Sequence, residues 1–247
     1  MTGTRMLGFM ERIAALVGFA AGGPFDTAVM VTGWGGFVQV FGDFSAGCHL
    51  AHAVYGYFLN GGSSCYVVRV GSEDAARALD AAPEAETVAA PDLARMRGAQ
   101  EAIAAHCAAT GRTALLDPPR GLPPARLGQW RAGLDSERVR VCYPWISVLD
   151  PASGTGRSMP SSGHVAGVMA RSGALRPGAA VRGAISVEHR VGPAEQERLA
   201  AEGVICLGPL PGRGIRITNP PATPAPARND GAPRPAPAGR RGAGSPR

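Results

Sequence analysis

Short apolar runs alternate with helical segments along most of this chain, and that alternation constrains the fold more than any other feature of the sequence. Residues 13–20 form an apolar run short enough for a β-strand buried on both faces. Residues 65–70 are rich in β-branched and aromatic side chains, which favours another strand. Between them, a stripe at helical spacing comprises Trp34, Phe37, Val38 and Phe41. Strands separated by helices imply an α/β fold in which helices flank a mixed sheet.

The same patterns continue to about residue 218. We predict strands at residues 13–20, 28–31, 65–70, 87–90, 113–116, 139–142, 147–149 and 204–207. We predict helices that start after Thr32 and at Ser45, and others at residues 94–110, 125–132, 162–170 and 193–202. Thr32 and Ser162 are predicted N-caps, because a hydroxyl there accepts a hydrogen bond from a free backbone N–H. Residues 150–160, rich in Pro, Ser and Gly, are predicted to form a loop.

The aromatic side chains are unevenly distributed, since every Phe, Trp and Tyr lies at or before Trp145. The carboxyl half therefore lacks the side chains for a core of its own, and we expect it to complete the first domain. We predict a short lead at residues 1–12, one core at residues 13–218, and a Pro/Ala/Arg-rich disordered tail at residues 219–247.

The basic charge is concentrated in the tail. The chain has a formal net charge of +6 and no lysine, and residues 220–247 contain five arginines against the single acid Asp230. The rest is nearly neutral, which argues against nucleic acid as a partner. No run reaches the roughly 18 apolar residues of a membrane span, and Glu11 and Arg12 interrupt the apolar stretch near the amino terminus. With five widely spaced cysteines, the sequence predicts a cytoplasmic chain with reduced thiols.

Candidate chemical groups are few. Cys48 and His52 lie one helical turn apart and His106 adjoins Cys107, but these spacings match no zinc module, so we expect no metal. Nucleotide-binding glycine motifs and the G-x-S-x-G pattern are absent, so we expect no cofactor. One enzymatic alternative stays open, a hydrolase-like site with a thiol nucleophile, an imidazole base and an orienting carboxylate. Its candidate groups are Cys107 or Cys142, His106 or His164, and Asp117 or Asp150.

Several motifs in order along the chain resemble one protein family. They begin with residues 13–44 and 49–70, followed by AAPDL at 89–93, AAHC at 104–107 and LLDPP at 115–119. The series continues with YPWISVLDP at 143–151, PSSGHVAGVMAR at 160–171 and PLPGRGIRI at 209–217. This ordered set is similar to contractile tail sheath proteins, which occur in phage tails and in extracellular contractile injection systems.

The resemblance implies a structural protein without a catalytic site. Sheath subunits stack as hexameric rings around an inner tube, attach to a baseplate, and shorten to drive the tube through a target envelope. Residues 13–72 would then be the amino-terminal part and residues 85–218 the part similar to the subtilisin-like middle domain of sheath proteins. The implied partners are further copies of the chain, the tube protein and the baseplate, with no small-molecule substrate. The implied location is the cytoplasm during assembly and the tail or released particle afterwards.

The resemblance also marks structural motif positions and two departures. The family has a leading segment and a further αβ region that this sequence does not match, so we expect a chain truncated at both ends. A remnant that does not assemble and acts as an adaptor, with its Arg-rich tail as a second contact, is therefore an alternative. The motif positions are Gly18, Phe19, Trp34, Phe41, Gly61, Gly62, Tyr66, Pro91, Asp92, Asp117, Pro118, Pro119, Tyr143, Pro144, Trp145, Gly163, His164, Gly167, Gly212, Arg213 and Gly214.

Overall fold

The structure is a computed structural model that describes residues 12–71, 75–134 and 136–221. Its strands are β1 Ile13–Gly18, β2 Ala28–Val31, β3 Cys65–Arg69, β4 Ala85–Ala89, β5 Thr113–Leu116, β6 Val139–Tyr143, β7 Ile146–Leu149, β8 Gly156–Met159, β9 Ala184–Val187, β10 Val204–Leu210 and β11 Gly214–Asn219. Its helices are α1 Trp34–Phe41, α2 Leu50–Leu59, α3 Ala75–Ala78, α4 Arg97–Thr110, α5 Leu127–Arg131, α6 Ser162–Ser172 and α7 Pro193–Ala201. Short 3₁₀ turns cover Leu79–Ala81, Pro91–Arg95 and Pro124–Arg126. The predicted tail lies largely outside the described residues.

Eight strands form one mixed sheet in the order β11-β10-β6-β5-β4-β1-β3-β2. The six inner strands are parallel, and the edge strands β2 and β11 are antiparallel to their neighbours. All four residues of β5 are buried, as expected for a parallel strand covered on both faces. The predicted mixed sheet with flanking helices is confirmed.

Helices cover both faces of this sheet. Helices α1, α2 and α6 pack on one face, where Leu16 of β1 and Tyr57 of α2 belong to the larger hydrophobic cluster. Helices α3 and α4 cover the other face, where Val17 of β1 and Ile103 of α4 lie in a second cluster. Successive residues of β1 therefore face opposite layers. None of the helices in the described ranges has both the length and the apolar composition of a membrane span.

A smaller antiparallel sheet, in the order β8-β7-β9, lies beside the first. Two of its strands differ from the prediction. Strand β8 lies inside residues 150–160, which we predicted to be a loop, and β9 was not predicted at all. Both strands are short and poor in the apolar alternation that marks a strand, so their pairing with β7 decides their conformation.

The predicted helix starts were partly wrong. Helix α1 has Gly33 and not Thr32 at its N-cap, and α2 begins at Leu50 rather than at Ser45. Helix α6 begins at Ser162 with Ser161 at the N-cap, but no hydroxyl caps it. At the starts of α2 and α6 the free backbone N–H groups donate to the carboxylates of Asp92 and Asp117, which lie in distant loops. The residues next to each helix start do not indicate these partners.

Candidate functional site

The loops that follow β1, β4, β5 and β6 meet at one edge of the main sheet, the edge formed by the carboxyl ends of its parallel strands, because parallel strands end on the same side. They carry many of the motif positions, among them Phe19, Asp92, Asp117 and Trp145. Nearby, the His49 ring lies edge-on to the Trp145 indole, with ring centroids 5.3 Å apart. In open α/β sheets this edge is where ligands usually bind, so these loops are the first candidate for a functional site.

Asp92 ties the end of β1 to the start of α2. Its carboxylate accepts the backbone N–H groups of Phe19 at 2.9 Å, His49 at 2.6 Å and Leu50 at 2.9 Å. Burial raises its pKa to about 6, although these three hydrogen bonds lower it. A side chain at Gly18 would collide with this carboxylate, which explains the glycine there. The Asp92 carboxylate is thus engaged by backbone and positions α2.

Asp117 plays the equivalent part for α6. Its Oδ1 accepts the N–H groups of Ser161 at 2.9 Å and Ser162 at 3.1 Å, and the residue is fully buried. Burial raises its pKa to about 7, against hydrogen bonds from Ser162 and Ser161. The adjacent Pro118 carbonyl accepts the indole N–H of Trp145 at 2.9 Å. These contacts fix a helix start and the loop beside it.

A third carboxylate pairs with a histidine on the outer side of α2. His52 Nε2 lies 3.2 Å from Asp150 Oδ1, which also accepts the Ala152 N–H. His164 of α6 is buried beside them, and its pKa falls to about 4, chiefly through burial and then through the charge of His52. Within the described residues, no histidine is hydrogen-bonded to a serine or a cysteine. An imidazole with a carboxylate is present, but without an adjacent nucleophile.

An open, mostly apolar cavity of about 270 Å³ lies over these histidines, between α2 and the small sheet. We call it the histidine cavity. Its lining residues are His52, Tyr55, Leu59, Val148, Leu149, Pro151, His164 and Gly183.

The cysteines argue against the thiol-nucleophile alternative. All five are free, and only Cys48 is partly exposed. Burial raises the pKa of Cys107 to about 12 and that of Cys142 well above its usual range. A thiol nucleophile requires the opposite shift. Among the described residues, no three His, Cys, Asp or Glu side chains are grouped so that they could hold a metal ion.

Helices α2 and α6 approach closely because small residues line their contact. A Cβ on Gly163 would lie 2.5 Å from the Ala53 Cβ and 2.7 Å from its Cα. A Cβ on Gly167 would lie 2.8 Å from the Asn60 Cβ. The His164 ring occupies the position that a Cβ on Gly56 would need. The family motif includes Gly163, His164 and Gly167 but not Gly56. The one sequence feature that could have indicated Gly56 is a glycine within the otherwise apolar helix of residues 50–59.

The other motif positions are spread over the fold. Trp34 and Phe41 belong to the aromatic face of α1, where the Trp34 and Phe37 rings stack with centroids 5.2 Å apart. The Tyr66 hydroxyl donates to Glu84. Further positions lie at the ends of elements or in the turns between them. Gly61 and Gly62 follow α2, Pro91 starts the 3₁₀ turn after β4, and Pro119 follows β5. Tyr143 ends β6 and Pro144 follows it, and Gly212 and Arg213 form the turn before Gly214, the first residue of β11. The motif therefore marks turns and packing contacts at several places and does not converge on one pocket.

The fold defined by these features is that of contractile sheath proteins, as the resemblance predicted. At 22% sequence identity and a TM-score of 0.65, the chain is similar to the helical sheath of the anti-feeding prophage in its contracted state, over 85% of this chain and 61% of that one. It is similar at 17% identity and a TM-score of 0.64 to the contracted sheath complex of PVC, an extracellular contractile injection system, over 90% of this chain and 67% of that one.

A third similar structure is the sheath tail protein of Listeria innocua, at 11% identity and a TM-score of 0.58, over 84% of this chain and 68% of that one. The chain spans 61% of the length of the anti-feeding prophage protein. No protein-family model matches the sequence, and no curated protein matches it either.

Proposed function

We propose that this chain is a structural subunit of a contractile sheath, in a phage tail or an injection particle, and that it carries no catalytic site. The observation that supports this most directly is the shared fold over 85–90% of the chain with sheath proteins, two of them in contracted assemblies. The engagement of Asp92 and Asp117 by backbone N–H groups agrees with a scaffold role for the loops at the sheet edge.

In this proposal copies of the chain stack as hexameric rings around an inner tube above a baseplate. Subunits assemble in the cytoplasm and then belong to the mature tail or particle. Contraction releases energy because each subunit passes from a less stable to a more stable packing against its neighbours. The motif positions would serve the fold of the subunit by fixing turns and close helix contacts.

Electron microscopy of the purified chain tests this function. We expect rings or tubes of uniform diameter whose amount increases with protein concentration, since head-to-tail contacts that repeat produce open helical assemblies. Analytical ultracentrifugation on the same samples separates ordered assembly from aggregation. A folded chain that stays monomeric at every concentration, or forms only amorphous material, would contradict the proposal.

A further inference from the structure

A second concave site, a cleft of about 260 Å³, opens where the carboxyl ends of the parallel strands lie, beside the start of α2. Arg95 and Arg120 line it together with His49, and we call it the arginine cleft. In open α/β sheets this edge is the usual place for a ligand. The volume is below that of most sites for drug-sized molecules, so it suits a small ligand.

The two arginines of the cleft have hydrogen-bond donors to spare. Arg95, in the 3₁₀ turn after β4, is exposed and forms no hydrogen bond or ion pair with any described residue. Arg120, after β5, donates through Nε to the Glu188 carboxylate at 3.1 Å, and its terminal nitrogens bond to no described residue. A guanidinium group has five N–H donors in one plane, so most of the donors that these two arginines bring remain unused.

The carboxylates near the cleft are already engaged. Asp92, which lines it, accepts the three backbone N–H groups that hold the start of α2. Glu188 accepts the Arg120 guanidinium and the Gly121 backbone N–H at 3.3 Å. Neither carboxylate forms an ion pair with Arg95. The acceptor that would satisfy Arg95 therefore has to come from a bound ligand or from water.

His49 reports the electrostatic potential inside the cleft. Its pKa falls to about 4, first through burial and then through the charges of Arg157, His52, Arg95 and Arg120. The ring is therefore neutral near pH 7. Because three arginines act on this one imidazole, the potential at this point favours an anion.

Part of the cleft lining is apolar. Pro91 and Ala94 are buried, and Trp145 is 5% exposed with its indole N–H already bonded to the Pro118 carbonyl. Such a wall excludes water from one side of the guanidinium groups. Their attraction for a bound anion is stronger there than on an open surface, because the local dielectric constant is lower.

We propose that the arginine cleft binds a small oxyanion, namely a phosphate group. A phosphate offers several acceptor oxygens, so Arg95 and Arg120 can each bind a different one. The free phosphate ion and a small phosphate monoester share this chemistry. The inference goes beyond the sheath function and does not depend on it, because all the binding groups belong to one copy of the chain.

Isothermal titration calorimetry of the full chain with inorganic phosphate tests the site. We expect saturable binding, and we expect Arg95→Gln and Arg120→Gln each to weaken it about tenfold or more, because each removes charge-assisted hydrogen bonds. Arg126→Gln is the matched control, since it makes the same change at an exposed arginine that does not line the cleft. This variant should bind phosphate like the wild type. Circular dichroism checks that all three variants are folded.

NMR of the His49 imidazole locates the bound ion. Phosphate in the cleft offsets the charges of Arg95 and Arg120, so the pKa of His49 should rise when phosphate is added. Chloride at the same ionic strength controls for screening and should change this pKa much less. The spectrum of His49→Gln assigns the signal. Methyl phosphate distinguishes the two sources, because tighter binding than that of phosphate would assign a monoester and weaker binding would assign the free ion.

Two results would overturn the site. The first is the absence of saturable binding at millimolar phosphate. The second is binding that Arg95→Gln and Arg126→Gln weaken to the same extent, which would show a general attraction of phosphate to a basic chain. Assembly of the wild type into rings or tubes tests the sheath function separately, so either proposal can fail while the other stands.

Discussion

Among single residues, Asp117 shows how a buried carboxyl group can hold a helix start in place. Its carboxylate accepts the N–H groups of Ser161 and Ser162, and burial raises its pKa to about 7 from an ordinary value of 3.8. Between these two values the native state binds a proton that the unfolded state does not. This proton binding therefore adds to the free energy of unfolding in full below pH 4, and the added stability is lost as the pH rises through 7.

We expect Asp117→Asn and Asp117→Ala to have opposite effects. Asparagine keeps a neutral acceptor for the two N–H groups, so at pH 8 this variant should be at least as stable as the wild type. Alanine leaves both N–H groups buried without a partner and should cost about 2–3 kcal/mol. Urea unfolding at pH 8 measures both changes.

The pH dependence supplies the control for these variants. The stability of Asp117→Asn relative to the wild type should increase as the pH rises from 4 to 8, because only the wild type loses a proton in that range. A difference that stays constant with pH would show that Asp117 is ionised throughout and that burial does not set its pKa.

Among the elements, the contact between α2 and α6 depends on Gly56 of α2 and on Gly163 and Gly167 of α6. A Cβ at Gly163 would lie 2.7 Å from the Ala53 Cα, which is backbone and cannot rotate away. The two helices cannot separate easily either, since Asp92 and Asp117 hold their starts at the sheet edge. The distance between α2 and α6 is thus limited both by the absence of a Cβ at Gly163 and by the two carboxylates that hold the helix starts.

We expect Gly163→Ala to destabilise the protein by about 1–3 kcal/mol, because the added methyl group overpacks this contact. Gly98→Ala in α4 is the matched control, since nothing lies within 4 Å of a Cβ there. That change should stabilise by about 0.5 kcal/mol through helix propensity. Thermal unfolding of both variants gives the comparison, and equal effects would show that the helix contact is looser than described.

The elements also show why sequence patterns predicted strands better than helix starts. Strand β2 and strand β5 have the predicted bounds, because their apolar content is local and lies between clear turn residues. The starts of α2 and α6 depend on carboxylates 42 and 45 residues away in the chain. No window of neighbouring residues contains that information.

In the whole molecule, the two parts of the predicted core lie side by side in a single sheet and meet where β1 pairs with β4. Strand β1, near the amino terminus, lies between β3 and β4 and pairs with both in parallel. Strand β10, from the stretch after Trp145 that lacks aromatic residues, extends the same sheet beside β6. Loss of either part would expose unpaired strand edges in the other.

We therefore expect one cooperative unfolding transition for the described core. In the Trp34→Phe variant, fluorescence reports only on Trp130 and Trp145 in the second part, while far-UV circular dichroism reports on all elements. Their urea midpoints should coincide, as they should in the wild type. Separate midpoints would indicate that the two parts unfold independently.

Local patterns predict the α/β class, most strand positions and the resemblance to sheath proteins, because periodicity and ordered motifs are properties of short stretches of the chain. They do not predict that Asp92 and Asp117 cap helices, that β8 and β9 pair with β7, or that Leu149 and His164 line one cavity. These contacts join residues far apart in the chain, and their stability depends on burial and strand pairing that exist only once the sheet has formed.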